Sequence, residues 1–262
     1  MNKVVTVMGE AGAGKDSFFK SAERLASRRG LTLINEKFAK PIHEAAKALT
    51  TEYLGYESKE TIVEVDVNRP EFRYWCDAVA AALGRSWEDI YHSIRSCFKT
   101  HLVASHDLPG VFQGKLRLVM ELIGTEAMRD VFGEDVWVNL LKTRLTHYDS
   151  PTTGVLITDT RFPNELHVAD GGVVLVLRND RPNLGPREEQ SHSSRQLVYD
   201  LTRLGWEYKL YGSESALNEL KTRIRDLGSH LLMIVESYKK FRLGPDVYFN
   251  AVYGAYNEYL QD

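Results

Sequence analysis

The chain has 262 residues, 43% hydrophobic and 26% charged, with a formal net charge of −3. That length suits one α/β domain with an insertion, or two small domains, and the apolar share is enough to build a core. The mildly acidic balance argues against a nucleic-acid-binding surface, and no apolar run approaches the ~18 residues needed to cross a bilayer, so no membrane partner is expected. Cys76 and Cys97 fall on helical patterns without C-x-x-C spacing and read as buried free thiols of a reducing compartment. The first strand begins by Val4, which leaves no room for a signal peptide, so the expected location is the cytoplasm.

Val4–Met8 is a short β-branched run, and it feeds a glycine-rich turn. Gly9, Gly14 and Lys15 have the spacing G-x-x-x-x-G-K, and a helix with Phe18, Phe19, Ala22, Leu25 and Ala26 on one face follows. A strand, a tight turn and a helix N-terminus in this order aim backbone N–H groups and the helix dipole at one point, which suits the phosphates of a nucleoside triphosphate. Gly12, Ala13, Gly14, Lys15, Asp16 and Ser17 are the expected cofactor-binding residues. Lys15 supplies a point charge for the β- and γ-phosphates. The commonest version of this loop has Ser or Thr directly after the lysine. Here Asp16 stands there and the hydroxyl comes one later, at Ser17. That shift argues against a GTPase or motor-type ATPase, in which the hydroxyl after Lys ligates Mg²⁺, and it looks like the nucleotide-kinase arrangement.

Leu31–Ile34 is the second expected strand. From about 41 to 148 the pattern is helical. Pro41 opens one helix (Ile42, Ala45, Leu49, Tyr53) that Gly55 closes. Phe72, Trp75, Val79 and Leu83 mark a second, ended by Gly84. Ser86 caps a third through Ile90, Ile94, Phe98 and Leu102, Lys115–Ile123 is a fourth, and Asp135 caps a fifth through Trp137, Leu140 and Leu141. Val155–Thr158 and Val173–Leu177 are the third and fourth strands, and Tyr208–Tyr211 the fifth, followed by a helix through Leu217, Leu220, Ile224 and Leu227. Short strands without polar alternation, separated by helices, indicate a parallel sheet covered on both faces, with ligand at the carboxyl ends of the strands. The polar stretch after Arg178, to about 195, is expected to be a lid-like loop, and Arg178, Arg181 or Arg187 are candidates to close over a ligand. From Ser229 two more helical patterns occur. The last has an aromatic face of Phe249, Val252, Tyr253, Tyr256 and Leu260, which reads first as packing and second as a homodimer contact.

Two further groups carry chemistry. Asp159, at the end of the third strand, suits a carboxylate that is linked to Mg²⁺ or orients an arginine. Arg161, two residues on, is placed to clamp an acceptor phosphate bidentately, and Glu165 opens the short helix that follows and pairs with Arg161 or touches the acceptor. In the insertion, Thr125 is expected to cap a new helix after a break at Gly124, with Arg129 a turn later and Arg117 on the preceding helix. Two cations around one glycine break could receive a phosphate; by pattern alone they read first as solvated helix charges, and Trp137 as core.

Four elements recur together: G-x-x-x-x-G-K-D-S at Gly9–Ser17, I-G-T-E-x-x-R at Ile123–Arg129, D-x-W at Asp135–Trp137 and D-x-R-F-P-N-E at Asp159–Glu165. In order and spacing the chain resembles the bacteriophage deoxynucleoside monophosphate kinases of the adenylate-kinase-like P-loop group. The resemblance covers most of residues 3–228. It implies an α/β P-loop NTPase-type three-layer sandwich with a five-stranded parallel sheet, a helical acceptor-binding insertion and a helical C-terminal extension over 229–262. It also implies transfer of the γ-phosphoryl group of ATP, with Mg²⁺, to a small-molecule dNMP in the host cytoplasm. Lys15, Arg129, Asp159 and Arg161 become the expected catalytic residues. Arg117, Gly124, Thr125, Trp137, Asp159, Arg161 and Glu165 become the expected acceptor site, and Asp16 and Ser17 the residues at the metal. The chain departs from the family's usual pattern at Leu118 and Glu121, and at His192–Ser194, where a following glutamate is missing. The alternatives are another small-molecule P-loop kinase, of dephospho-coenzyme A or shikimate type, and a nucleotide-binding protein without turnover.

Overall fold

The computed structural model describes residues 4–50, 58, 60–148, 150–178 and 193–237. They fall into two compact units, one of the described residues up to 37 and from 146 on, the other of those between 38 and 145. In the first, β1 (Val4–Met8), β2 (Thr32–Glu36), β6 (Thr153–Ile157), β7 (Gly172–Arg178) and β8 (Leu231–Ser237) form a sheet in the order β2-β6-β1-β7-β8. Every neighbouring pair is parallel. β1 lies in the middle, and all five of its residues are buried, which is why it carries no polar alternation.

Alternation across the pleat divides the core into two layers. Val174 and Val176 join Val5, Val7 and Leu156 under α1 (Lys15–Arg28), which contributes Phe18, Phe19, Ala22 and Ala26. Val173, Leu175 and Leu177 face the other way, against Val198, Leu201 and Leu204 of α8 (Ser193–Tyr211) and Ala216, Leu220 and Ile224 of α9 (Glu214–Asp226). This is the α/β three-layer sandwich that the sequence implied. Ser213 caps α9 by accepting from the Ala216 N–H at 3.2 Å.

The fifth strand is not where the sequence pattern put it. Tyr208–Tyr211 is the last turn of α8, because Leu201 and Leu204 carry helical spacing toward it and their side chains are held in the core. The strand is β8, within a stretch expected to be helical, and it extends the sheet beside β7 with a register irregularity between Val173 and Val174. The 238–262 extension lies outside the described residues, as do Arg181, Arg187 and His192 of the expected lid.

The second unit is helical but not wholly so. β3 (Ile62–Asp66), β4 (Val103–Ala104) and β5 (Val111–Lys115) form an antiparallel sheet in the order β3-β5-β4. This sheet corrects the all-helical expectation. α2 (Lys40–Leu49) ends with Thr50 in an extended conformation, short of the expected Tyr53; Tyr53 and Gly55 lie outside the described residues. α3 (Pro70–Leu83) stops at left-handed Gly84, and α4 (Trp87–His101) is capped by Ser86, whose Oγ accepts from the Asp89 N–H at 3.2 Å. α5 (Leu116–Leu122) runs without a break through a π-helical segment, Ile123–Arg129, into α6 (Asp130–Phe132). Gly124 therefore breaks no helix, and Thr125 lies inside the π segment rather than capping a new one. The widened turn is held from α4, where Ser93 Oγ donates to the Ala127 carbonyl at 2.5 Å. α7 (Val136–Leu145) follows. Cys76 is fully buried and Cys97 partly so, both as free thiols. Among the described residues, no helix is long and apolar enough to cross a membrane.

Candidate functional site

Because the five strands of the first unit are parallel, their carboxyl ends share one edge, and the charged residues that follow them meet there. The glycine loop leaves β1 under a tight steric limit: a Cβ on Gly9 would stand 2.4 Å from the Val176 carbonyl oxygen of β7. Only glycine allows that approach. Gly14, at φ 89°, occupies the left-handed conformation at the N-cap of α1, with no side-chain cap. The first-turn N–H groups of α1 are thus left to an outside acceptor, and a phosphate suits them.

Lys15 folds back across its own loop. Its Nζ donates to the carbonyls of Gly9 at 2.7 Å and Glu10 at 2.8 Å. Burial pulls its pKa down to about 8, and the charge of Arg161 adds to the fall. Asp16 and Asp159 act in the opposite sense, and Lys37 contributes a further lowering. One ammonium thus feels all four of these groups, each at the carboxyl edge of the sheet or in the first turn of α1. Arg178, at the end of β7, reaches the loop as well, with an Nη1 donor 3.5 Å from the Ala11 carbonyl.

The segment after β6 is built to hold Arg161. Thr158 Oγ1 donates to Asn35 Oδ1 of β2 at 3.1 Å, and the Thr160 and Thr6 hydroxyls are hydrogen-bonded at 3.3 Å. These bonds tie the residues on either side of Asp159 to the neighbouring strands. Glu165 is 2% exposed, and its Oε2 accepts the backbone N–H groups of Arg161 at 2.7 Å and Phe162 at 3.1 Å. The glutamate thus shapes the backbone that carries Arg161. These two bonds go to the main chain, a role that the sequence did not suggest.

One residue of this edge was missed. Lys37, just past β2, makes an ion pair with Asp16 at 3.0 Å. The expected second strand ended at Ile34, and nothing in the sequence singled out Lys37. Its place at the sheet edge appears only once β2 is seen to run to Glu36.

The remaining expected residues lie in the second unit. Trp137 is 1% exposed, and its indole N–H donates to the Gly124 carbonyl at 2.8 Å. Arg117 pairs with Glu60 at 3.0 Å, and Lys115 meets the same carboxylate at 3.1 Å. Together these cations hold the Glu60 carboxyl below its usual range, Lys115 most strongly. Arg129 Nη1 lies 3.4 Å from the Glu134 carbonyl. Among the described residues no cluster of three or more His, Cys, Asp or Glu side chains forms a ready-made metal site.

No family model matches the chain. Among solved structures, the chain is similar to cobyrinic acid a,c-diamide synthase from Mycobacterium smegmatis, solved with bound ADP and magnesium, over 100% of this chain and 82% of that one at 16% identity and a TM-score of 0.40. The sequence similarity is more telling: the chain is 28% identical over 183 residues to the deoxynucleoside-5'-monophosphate kinase of Escherichia phage T5, covering 63% of this chain and 70% of that protein. The resemblance drawn from four short motifs is thus matched by similarity over more than half the chain to a phage deoxynucleoside-5'-monophosphate kinase.

Proposed function

We propose that this chain transfers the γ-phosphoryl group of ATP to a deoxynucleoside monophosphate, giving ADP and a deoxynucleoside diphosphate. The observation that carries the reading is that the glycine loop, with Lys15 folded over it, and Arg161, whose backbone N–H is held by Glu165, both follow the carboxyl ends of neighbouring parallel strands, β1 and β6. It sets the loop lysine that would hold the donor phosphates against an arginine suited to gripping a second phosphate.

The chemistry asks little of the protein's acids and bases. A phosphate monoester has a second pKa of ~6, so near pH 7 the acceptor oxygen is already a nucleophile. It attacks the γ-phosphorus, the bond from that phosphorus to the β,γ-bridging oxygen breaks, and the electron pair leaves on the β-phosphate of ADP. What remains is to bring two polyanions together in line, neutralise their charge and exclude water. Lys15 and the first turn of α1 hold the donor phosphates, and Arg161, fixed through Glu165, grips the acceptor. Arg178 stands at the loop beside them.

A Mg²⁺ ion bound to the phosphates would supply further charge neutralisation. Exposed Asp16 and Ser17 and the strand-end Asp159 suit water-mediated contacts to such an ion, with phosphate oxygens and water as its main ligands. Arg117, Gly124, Thr125 and Arg129 are proposed for the acceptor from the resemblance alone, with buried Trp137, also named by the resemblance, supporting them through the Gly124 carbonyl. The test is an ADP-release screen over all dNMPs and NMPs. ADP release that requires a dNMP supports the reading. Release with dephospho-coenzyme A or shikimate instead, or with no acceptor, would replace it.

A further inference from the structure

The loop carries an unfavourable charge of its own. Asp16 is the second residue of α1, and a carboxylate there competes with incoming phosphate for the same helix dipole and the same free N–H groups. It also repels a polyanion directly wherever the hydrated Mg²⁺ considered above does not stand between them. In the commonest form of this loop a neutral hydroxyl occupies the position, so no compensation is needed. Here a cation from a different strand meets the carboxylate: Lys37 Nζ lies 3.0 Å from Asp16 Oδ1.

The place of Lys37 follows from the sheet. β2 is in register with β6, Glu36 standing beside Ile157, so the residue after β2 emerges at the same edge as the residues leading to Asp159. Glu36 is fully buried and accepts from the Tyr148 hydroxyl at 2.5 Å, which anchors the end of the strand one residue before Lys37. The lysine is thus presented from a fixed backbone. Its side chain is 39% exposed, and that of Asp16 is 68% exposed. A pair so open to solvent adds little to fold stability. Its main consequence is local, in cancelling a negative charge where phosphate must bind.

We propose that Lys37 is a positioning residue of the phosphate loop, which neutralises Asp16 so that the N-terminus of α1 accepts a polyphosphate. This rests on the kinase reading above. Lys37 acts through Asp16, so its effect on ATP must depend on the Asp16 charge.

The experiment is a calorimetric titration of Mg·ATP into wild type, Lys37→Met, Lys37→Arg, Asp16→Asn and the double variant Asp16→Asn/Lys37→Met, with melting temperatures and dNMP-kinase rates measured on the same samples. Lys37→Met should weaken ATP binding roughly threefold to tenfold, and Lys37→Arg should recover most of the loss. In the Asp16→Asn background the same Lys37→Met change should cost less than about twofold. Raising ionic strength should shrink the wild-type-to-Met difference. An equal loss in both backgrounds, no loss at all, or a lower melting temperature with ATP affinity intact would overturn the proposal. So would a rise in the KM for dNMP with ATP binding unchanged, which would make Lys37 an acceptor contact. ATP binding without any dNMP phosphorylation would sink the kinase reading yet leave the Lys37 comparison valid. A wild type that binds no ATP would overturn both.

Discussion

The two units treat their polar residues in opposite ways. In the α/β unit, Lys15, Asp16, Lys37, Asp159, Arg161 and Arg178 gather at the edge or loop where the parallel strands end, and burial, helped by the charge of Arg161, pulls the Lys15 pKa down to about 8. In the other unit two of the groups singled out from the sequence meet partners close by, the Trp137 N–H at the Gly124 carbonyl and Arg117 at Glu60. A parallel sheet brings distant residues to one edge as a consequence of topology. An insertion of helices and a small antiparallel sheet has no such edge. Substitutions in the first unit should therefore change turnover, and those in the core of the second should change stability.

The largest effect is expected at Lys15. Lys15→Ala should lower turnover by on the order of 10³, since the γ-phosphate loses its loop cation, and should leave the melting temperature nearly unchanged. Steady-state ADP release with matched thermal scans measures both. Near wild-type release would remove the loop from the mechanism.

Arg161→Lys comes next. Lysine keeps the charge but not the bidentate fork, so ATP should still bind while dNMP phosphorylation falls roughly a hundredfold. A purely structural role would show instead as a lower melting temperature with the rate per folded molecule unchanged.

The pH dependence of ATP binding should be about tenfold. Free Lys15 titrates at about 8, whereas a bound polyphosphate favours its charged form, so affinity should fall as pH rises from 7 to 9. Binding at pH 8 should take up about half a proton per ATP, read from titrations in buffers of different ionisation heat. Proton-neutral binding at that pH would mean that Lys15 is not at the phosphates.

The smallest effect on turnover is expected at Trp137. Trp137→Phe leaves the buried Gly124 carbonyl without its donor, at a cost of about 1–3 kcal/mol in stability, with turnover per folded molecule little changed. Lost turnover at an unchanged melting temperature would sharpen the comparison in the other direction and put Trp137 on the acceptor.

What could be read from the sequence follows the same division. Four strands of the parallel sheet were legible, β1, β6 and β7 because strands buried on both faces carry unbroken apolar runs, and the edge strand β2 only through its Leu31–Ile34 stretch. The fifth was misplaced. Tyr208–Tyr211 is too polar to be a central strand and continues a helix, whereas Leu231–Val235 is an unbroken aliphatic run just past Gly228, and that signal was present. In the insertion, β3 alternates buried Val63 and Val65 with exposed Ile62 and Glu64, a period of two that was hidden among stronger helical patterns. The π segment has no sequence signature; it depends on hydrogen bonds from α4. At the site, the loop and the strand-end Asp159 and Arg161 were visible as motifs. Lys37 was not, because a single cation gains meaning only from the strand beside it, and Glu165 acts on backbone groups that spacing cannot reveal.

The central claim is that the phosphate loop and Arg161 serve two different phosphates between which one phosphoryl group moves directly. A single-turnover reaction of the wild-type protein with ATP labelled in the γ-phosphate, with and without a dNMP, tests it most directly. The account predicts label in the deoxynucleoside diphosphate at the rate at which ADP appears, and almost none released when the dNMP is left out. Label appearing as inorganic phosphate whether or not a dNMP is present would contradict it.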